Sequence, residues 1–253
     1  MRIPEGLEVI ALGVGDAFSA RSYSSCLAVG APDGAGGAAW LLVDCPHPIR
    51  KILRESTGGT LDVGDFTACV VTHLHADHAS GLEGYGYFAW FALHRPAHLV
   101  AHPTVTARLW DGHLAAGMED LLQQDGDVHH HGLDDYFAIT PLDLAAPITV
   151  GPFTIACRRT IHHIPTTALT ITAAGRTLAY SADTAFDPTL IDWLSVGDLI
   201  IHETNLGVHT PYAKLAALPE ALRARMRLIH YPDDFPEEHQ AIARLRQGEV
   251  VRI

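Results

Sequence analysis

The stretch Thr72-His73-Leu74-His75-Ala76-Asp77-His78 constrains this chain more than any other. It follows the β-branched run TACVV and precedes ASGLEGYGYFAWFALH, which has the composition of a buried helix. Three imidazoles and a carboxylate therefore converge where a buried strand hands over to a helix. Side chains two apart in extended chain share a face, so His73 and His75 can grip one ion, while the turn into the helix swings Asp77 and His78 towards a neighbouring ion. Histidine and carboxylate donors without sulfur suit zinc, iron or manganese. A solvated, histidine-rich turn would have no reason to sit at the end of a buried strand.

The flanking pattern supplies a scaffold for such a turn. LEVIALG, SSCLAVG and WLLVD read as strands, with GAPDGAGGAA (residues 30–39) as a hairpin loop, and PIRKILRES as a short helix. AHLVA is a strand, and TVTARLWDGHLAAGMEDLLQQ is one or two helices in which residues 118–124 form an amphipathic helix. YFAIT, ITV, FTIACRR, TALTITA and TLAYSAD are strands. DLIIHE and MRLIHY are strands too, around a helical KLAALPEALRAR, and EEHQAIARLRQ closes the chain as a helix. Strands in both halves with helices interspersed predict an α/β sandwich, two sheets with helices outside, as one continuous domain over residues 1–253.

Charge narrows the partners. The 29 acidic against 17 basic residues give a formal charge of −12, and Lys51 and Lys214 are the only lysines. A protein that holds long nucleic acid by its phosphates presents a basic surface, so a small-molecule substrate is expected instead. No apolar run is long enough to span a bilayer, and MRIPEGLEVIALG lacks a positive segment leading into an apolar one; the expectation is a cytoplasmic protein without a membrane partner. Cys26, Cys45, Cys69 and Cys157 stand singly, with no Cys-x-x-Cys pair, and read as buried small hydrophobes.

His-x-His-x-Asp-His is the signature of the metallo-β-lactamase fold superfamily, which the chain resembles along most of its length. Leu12-Gly13-Val14-Gly15-Asp16-Ala17-Phe18 looks like that family's opening strand and turn, and Asp44 in LLVDCP like its buttressing aspartate. The resemblance implies a four-layer αββα sandwich with two mixed sheets, and two divalent ions, zinc first with manganese or iron as alternatives. His73, His75 and a histidine of TIHHIP would hold one ion. His162 matches the His-x-Ile-Pro register of the RNase Z-like branch, and His163 is its competitor. Asp77, His78 and His230 would hold the other ion, and Asp183 in TLAYSADT, similar to the family's Tyr-Ser-Gly-Asp-Thr, would bridge the two. Flavodiiron proteins carry glutamate at the second histidine of the motif; this chain carries His75.

Two such ions about 3.5–4 Å apart lower the pKa of a shared water and clamp an oxygen of the scissile group, so attack by metal-held hydroxide is the implied chemistry, with Asp77 orienting the nucleophile or taking its proton. Asp198-Leu199-Ile200-Ile201-His202-Glu203-Thr204-Asn205, followed by His209-Thr210-Pro211, resembles the RNase Z-like segments in which a glutamate orients a histidine beside the leaving group; this puts Glu203 and His209 in catalytic roles. Other features depart from that branch. The Gly/Pro-rich arm that holds tRNA is not recognisable, Ala168 and Leu169 occupy the region of a family tyrosine, and His230 continues as Tyr231-Pro232-Asp233-Asp234. A small or cyclic phosphodiester is therefore the leading substrate. The alternatives are a carboxyl-ester, thioester or lactone, and, from another class, di-iron redox or oxygen binding. A homodimer is compatible with the resemblance. The His129-His130-His131 triplet reads as a solvent-facing loop which, with Trp90, Trp110 and Tyr136, could form a lid or a contact between copies.

Overall fold

The computed structural model describes residues 3–123, 126–236 and 241–253. The strands are β1 (Glu8–Gly13), β2 (Cys26–Pro32), β3 (Ala38–Val43), β4 (Phe66–Val71), β5 (Ala97–Ala101), β6 (Asp120–Leu122), β7 (Val128–His130), β8 (Phe137–Pro141), β9 (Ile148–Val150), β10 (Phe153–Arg159), β11 (Thr167–Ala173), β12 (Arg176–Tyr180), β13 (Leu199–Glu203), β14 (Met226–Ile229) and β15 (Val250–Arg252). Seven form one sheet in the order β15-β1-β2-β3-β4-β5-β8, six a second in the order β14-β13-β12-β11-β10-β9, and β6 pairs with β7 as a separate hairpin. Both large sheets are mixed: β3, β4, β5 and β8 run parallel, as do β12, β13 and β14, while the remaining pairs are antiparallel.

The inner faces share an apolar core in which Val9, Leu41 and Val70 of the first sheet meet Ile155, Leu169 and Leu178 of the second. The opposite face of the first sheet is covered by α1 (Ile49–Thr57), α2 (Ala76–Ala79) and α3 (Leu82–Phe88), through Ile52, Leu53, Ala79 and Leu82. The chain then continues through α4 (Pro103–Thr106), α5 (Ala115–Met118) and α6 (Leu133–Tyr136). The second sheet carries α7 (Pro188–Leu194) and α8 (Tyr212–Ala216), anchored by Leu190, Leu194 and Leu215, with α9 (Glu220–Arg223) leading into β14. This is the αββα sandwich of the metallo-β-lactamase fold. Strands β4 and β11 are buried along nearly their whole length, which is why they read as unbroken apolar or β-branched runs, whereas β10 alternates buried Phe153, Ile155 and Cys157 with more accessible neighbours. No helix among the described residues is long and apolar enough to cross a membrane.

Several local readings are corrected. Residues 120–122 form strand β6, not part of an amphipathic helix, and His129 and His130 lie on its partner β7. The helix expected over EEHQAIARLRQ is absent from residues 241–247; its first residues, 237–240, lie outside the described set. Ile242 and Leu245 are instead buried in the core, and this segment exchanges backbone bonds with β14 through Leu228 N–H to the Ala243 carbonyl (2.9 Å) and Leu245 N–H to the Leu228 carbonyl (2.9 Å). The helix read in KLAALPEALRAR is divided at Pro219 into α8 and α9. Tyr136 is fully buried, packed by Tyr87, Trp90 and Trp110 at ring separations of 5.6, 5.5 and 6.3 Å, so these aromatics pack against the outer helices.

Candidate metal centre

Strands β4, β10, β12, β13 and β14 end at one rim of the sandwich, and each delivers a polar side chain there. His73 and His75 lie in the extended link after β4; Asp77 and His78 occupy α2, whose first turn closes through His78 N–H and Ala79 N–H to the His75 carbonyl at 3.0 and 2.9 Å. The link is clamped to the loop after β3: Cys45 N–H donates to the His78 carbonyl and Gly81 N–H to the Cys45 carbonyl, both at 2.7 Å. Only glycine permits that approach, since a Cβ at position 81 would stand 2.5 Å from the Pro46 carbonyl oxygen. Asp44, Ala182 and His230, each beside or within the centre, hold positive φ values of 62°, 48° and 58°, a backbone strain of about 1–2 kcal/mol apiece that the surrounding packing must offset.

Three groups of donor atoms result. His73, His75, His162 and Asp183 form the first; Asp77, His78, Asp183 and His230 form the second, and Asp183 belongs to both; Glu203, His209 and His230 form a third, without Asp183. In the first, His75 Nδ1 lies 3.1 Å from His73 Nε2 and 3.1 Å from His162 Nε2, and Asp183 Oδ2 is 3.7 and 3.8 Å from His73 and His162. In the second, His78 Nε2 is 3.4 Å from Asp77 Oδ2 and 3.3 Å from Asp183 Oδ1, and His230 Nε2 is 3.2 Å from Asp77 Oδ2 and 3.6 Å from Asp183 Oδ2. A tetrahedron of nitrogen and oxygen donors around zinc, at about 2.0–2.2 Å each, has edges of about 3.3–3.6 Å. The separations in the two groups that share Asp183, 3.1–3.8 Å, bracket that spacing within a few tenths of an ångström. His163 stands outside them, its ring 4.5 Å from that of His75 and 4.2 Å from that of His162.

The hydrogen bonds behind the donors fix which ring nitrogens face inward. Asp44 accepts from Thr72 N–H at 2.8 Å, from the Thr72 hydroxyl at about 3 Å and from His78 Nδ1–H at 2.8 Å. With its single proton given to Asp44, the Thr72 hydroxyl accepts from His73 Nδ1–H at 3.0 Å. Both rings therefore turn a bare Nε2 into the centre, the tautomer a metal needs. Among the described residues His78 Nε2 and Asp183 Oδ1 are buried with no hydrogen-bond partner, two acceptors facing each other at 3.3 Å. A cation between them removes that repulsion, so the residues fit a metal.

Without a cation the same field attracts protons. Burial disfavours charged His78, yet the Asp183 and Asp44 carboxylates hold its pKa well above the ordinary histidine range. Burial likewise opposes charge on His230, and Asp183 and Asp77 raise it nonetheless. His73 goes the other way, lowered first by burial and then by His78, and His162 falls to about 4 chiefly through burial. Asp183 is held well below the usual carboxylate range against its own burial by His78 and His230. Asp44→Ala is expected to leave His78 Nδ1–H and Thr72 N–H unsatisfied, lowering stability by about 3 kcal/mol and metal affinity by about 10–100-fold. Chemical unfolding and metal titration check this, and an unchanged unfolding midpoint would remove Asp44 from that role.

Glu203 ends β13 and is buried; its Oε1 accepts from Thr184 N–H at 2.8 Å and from His209 Nδ1–H at 2.9 Å. The His209 ring stands 5.1 Å from that of His230 and 5.5 Å from that of His162, straddling the two groups, and 18 % of its side chain is exposed. Its loop is held by the Asn205 side-chain amide, which donates to Asp16 Oδ2 (2.9 Å) and the His230 carbonyl (3.2 Å). Thr72 and Asn205 carry no sequence signal for these duties beyond adjacency to the motifs. Among the other described histidines, His98 spans the Thr67 carbonyl and Thr140, His102 caps α4, and His130 is exposed beside Asp120.

The family model described as Anti-Pycsar protein Apyc1 matches residues 7–250. A curated relative of that description from Bacillus phage vB_BsuM-Goe3 is 30 % identical over 258 residues, covering 95 % of each chain. Among solved structures, the metallo-β-lactamase fold protein YhfI from Bacillus subtilis superposes with a TM-score of 0.75 at 19 % identity, over 98 % of this chain and 99 % of that one. Zn2+-bound PqqB from Methylobacterium extorquens gives 0.70 at 16 % identity, over 97 % and 100 %.

Proposed function

The chain belongs to the Anti-Pycsar protein Apyc1 family, and from that premise and its rim of donors we propose that it is a binuclear, metal-dependent phosphodiesterase acting on a small or cyclic phosphodiester. The observation that carries the reading is the Glu203–His209 pair set against two donor groups that share Asp183. His73, His75 and His162 would hold one divalent ion, and Asp77, His78 and His230 the other; a donor set of imidazole and carboxylate without sulfur favours zinc and admits manganese or iron. Bound there, the ions supply a water of lowered pKa and a clamp for one oxygen of the scissile group.

The chain's own groups complete the reaction. Asp77 stays ionised, because His230 and His78 outweigh the burial that opposes its charge, and its carboxylate orients the attacking water or takes its proton. His209 is a proton donor to the leaving oxygen. Burial works against its charged form, but the Glu203 carboxylate bonded to Nδ1 raises its pKa above the ordinary value and leaves Nε2–H for the substrate. Glu203 is in turn held by Thr184 N–H, so the imidazole is aimed before substrate arrives. A thioester expels a thiolate that needs no protonated imidazole, which ranks the diester above it; an alkyl carboxyl-ester shares the diester's alkoxide leaving group and is separated from it by the kinetic test below. The family's anti-Pycsar description is compatible with a cyclic nucleotide as that diester.

The test is hydrolysis of bis(p-nitrophenyl) phosphate by metal-depleted protein before and after adding Zn2+, Mn2+ or Fe2+, paired with metal analysis. The expected outcome is two ions per chain and turnover restored only with metal. Two bound ions with thioester or lactone turnover but none on phosphodiesters would overturn the substrate; dithionite-sensitive visible absorption without hydrolysis would overturn the reaction.

A further inference from the structure

Asn205 lies two residues after Glu203 and four before His209, and its amide ties three separate segments together. Nδ2 donates one proton to Asp16 Oδ2 at 2.9 Å and the other to the His230 carbonyl at 3.2 Å, while Oδ1 accepts from Leu206 N–H at 2.7 Å. Asp16 follows β1, His230 follows β14, and Leu206 opens the loop that carries His209.

Each of these bonds acts on a part the centre depends on. His230 holds its left-handed φ of 58° with its backbone fixed from both sides: N–H donates to the Val14 carbonyl at 2.9 Å, and its carbonyl accepts from Asn205. Its Nε2 belongs to the second donor group, 3.2 Å from Asp77 Oδ2. Asp16 is buried and accepts Phe18 N–H at 3.0 Å on its other oxygen, so it is a fixed anchor. The base of the His209 loop is closed by the Thr204 hydroxyl on the Thr210 carbonyl (3.0 Å) and the Thr210 hydroxyl on the Thr184 carbonyl (2.9 Å). Beyond that base the chain turns through Gly207 at φ 71°, with Leu206 and Val208 75 % and 62 % exposed. The tie from the fold to the His209 backbone runs from Asp16 to Asn205, from Asn205 to Leu206 N–H, and from the Leu206 carbonyl to His209 N–H at 3.4 Å.

Asparagine suits this junction because of what its amide carries. Aspartate has no donor, serine has one, and glutamine puts the amide one methylene farther out. The separation being fixed matters, because the His209 ring stands 5.1 Å from that of His230, and a reacting group misplaced by about 1 Å costs on the order of a hundredfold in rate. Resting on the phosphodiesterase reading, we propose that Asn205 is a positioning residue. It locks the loop of the general acid His209 to the backbone of the second-ion ligand His230, with Asp16 as its anchor, so that proton donor and ion keep one register across the leaving oxygen.

The experiment uses Asn205→Ala, Asn205→Asp and the swap Asp16→Asn/Asn205→Asp. Zn2+ binding isotherms are paired with turnover at saturating Zn2+ on 3′,5′-cyclic AMP, which expels an alkoxide, and bis(p-nitrophenyl) phosphate, which expels a phenolate. Asn205→Ala is expected to lower kcat on the alkoxide substrate about thirtyfold with KM within about twofold, to cost the phenolate substrate about threefold, and to weaken the second Zn2+ about tenfold without moving the first. In a His209→Ala background the same change is expected to cost less than about twofold, since the group it aims is gone. The swap lets the new amide at position 16 donate to the new carboxylate at position 205, but nothing then donates to the His230 carbonyl. It is expected to regain kcat relative to Asn205→Asp and not the affinity for the second Zn2+, and it carries the comparison should Asn205→Ala fail to fold. Equal losses on both substrates that persist in the His209→Ala background, with unchanged Zn2+ affinity, would make Asn205 a loop support only and overturn the assignment, as would wild-type kcat in Asn205→Ala. If wild type hydrolyses neither diester, the phosphodiesterase reading falls and the isotherms decide: a weakened second Zn2+ in Asn205→Ala supports the hold on His230, and an unchanged one overturns it.

Discussion

Asp183→Asn is expected to reduce bound metal to one ion per chain or fewer and to cut phosphodiester hydrolysis by more than about a hundredfold, a larger loss than changes behind the donors produce. The reason is its place in both groups: Oδ2 lies 3.6–3.8 Å from His73, His162 and His230 nitrogens, and Oδ1 lies 3.3 Å from His78. Asparagine keeps the shape and removes the charge. Asp183 is also the largest source of the raised pKa values of His78 and His230, so the amide releases their protons at lower pH and leaves buried imidazoles facing one another. Metal analysis and kinetics read the first effect, and the pH dependence of unfolding in chelator reads the second. Full metal content with near-normal turnover would sink the bridging assignment.

What the sequence disclosed about this centre follows from how far apart its parts are. His73, His75, Asp77 and His78 fall within six residues at a strand end, so their convergence is written locally. Asp183 and His230 converge only because β12 and β14 are set side by side through β13, an order that a chain read in one dimension does not state; family resemblance singled them out instead. Thr72 is hidden for another reason: its value lies in one hydroxyl proton passed to Asp44, which leaves it to accept from His73, and residue type alone does not encode that direction. The same limit explains the misread helices. AIARLRQ is rich in helix formers, yet burying Ile242 and Leu245 against β14 outweighs propensity. β15 and β6 are three residues long, too short for alternation to declare itself, and β6 is made a strand by pairing with β7.

His209→Ala is expected to lower kcat about 10²–10³-fold while metal content stays at its wild-type value, since general acid catalysis contributes on that order and His209 is absent from both groups that share Asp183. The pH profile separates this role from a structural one. A general acid works while protonated, so activity is retained below its pKa and lost as pH rises through it. The Glu203 carboxylate raises that pKa above the ordinary histidine value, placing the limb on the alkaline side, whereas protonation of ligand imidazoles erodes activity in acid. Glu203→Gln keeps an acceptor for His209 but withdraws the charge, and the alkaline limb is expected to move to lower pH. A p-nitrophenyl leaving group needs little protonation and an alkoxide needs much. His209→Ala should therefore cost an alkyl diester more than bis(p-nitrophenyl) phosphate. Equal losses on both, or loss of metal in His209→Ala, would make His209 a support of the centre instead of its acid.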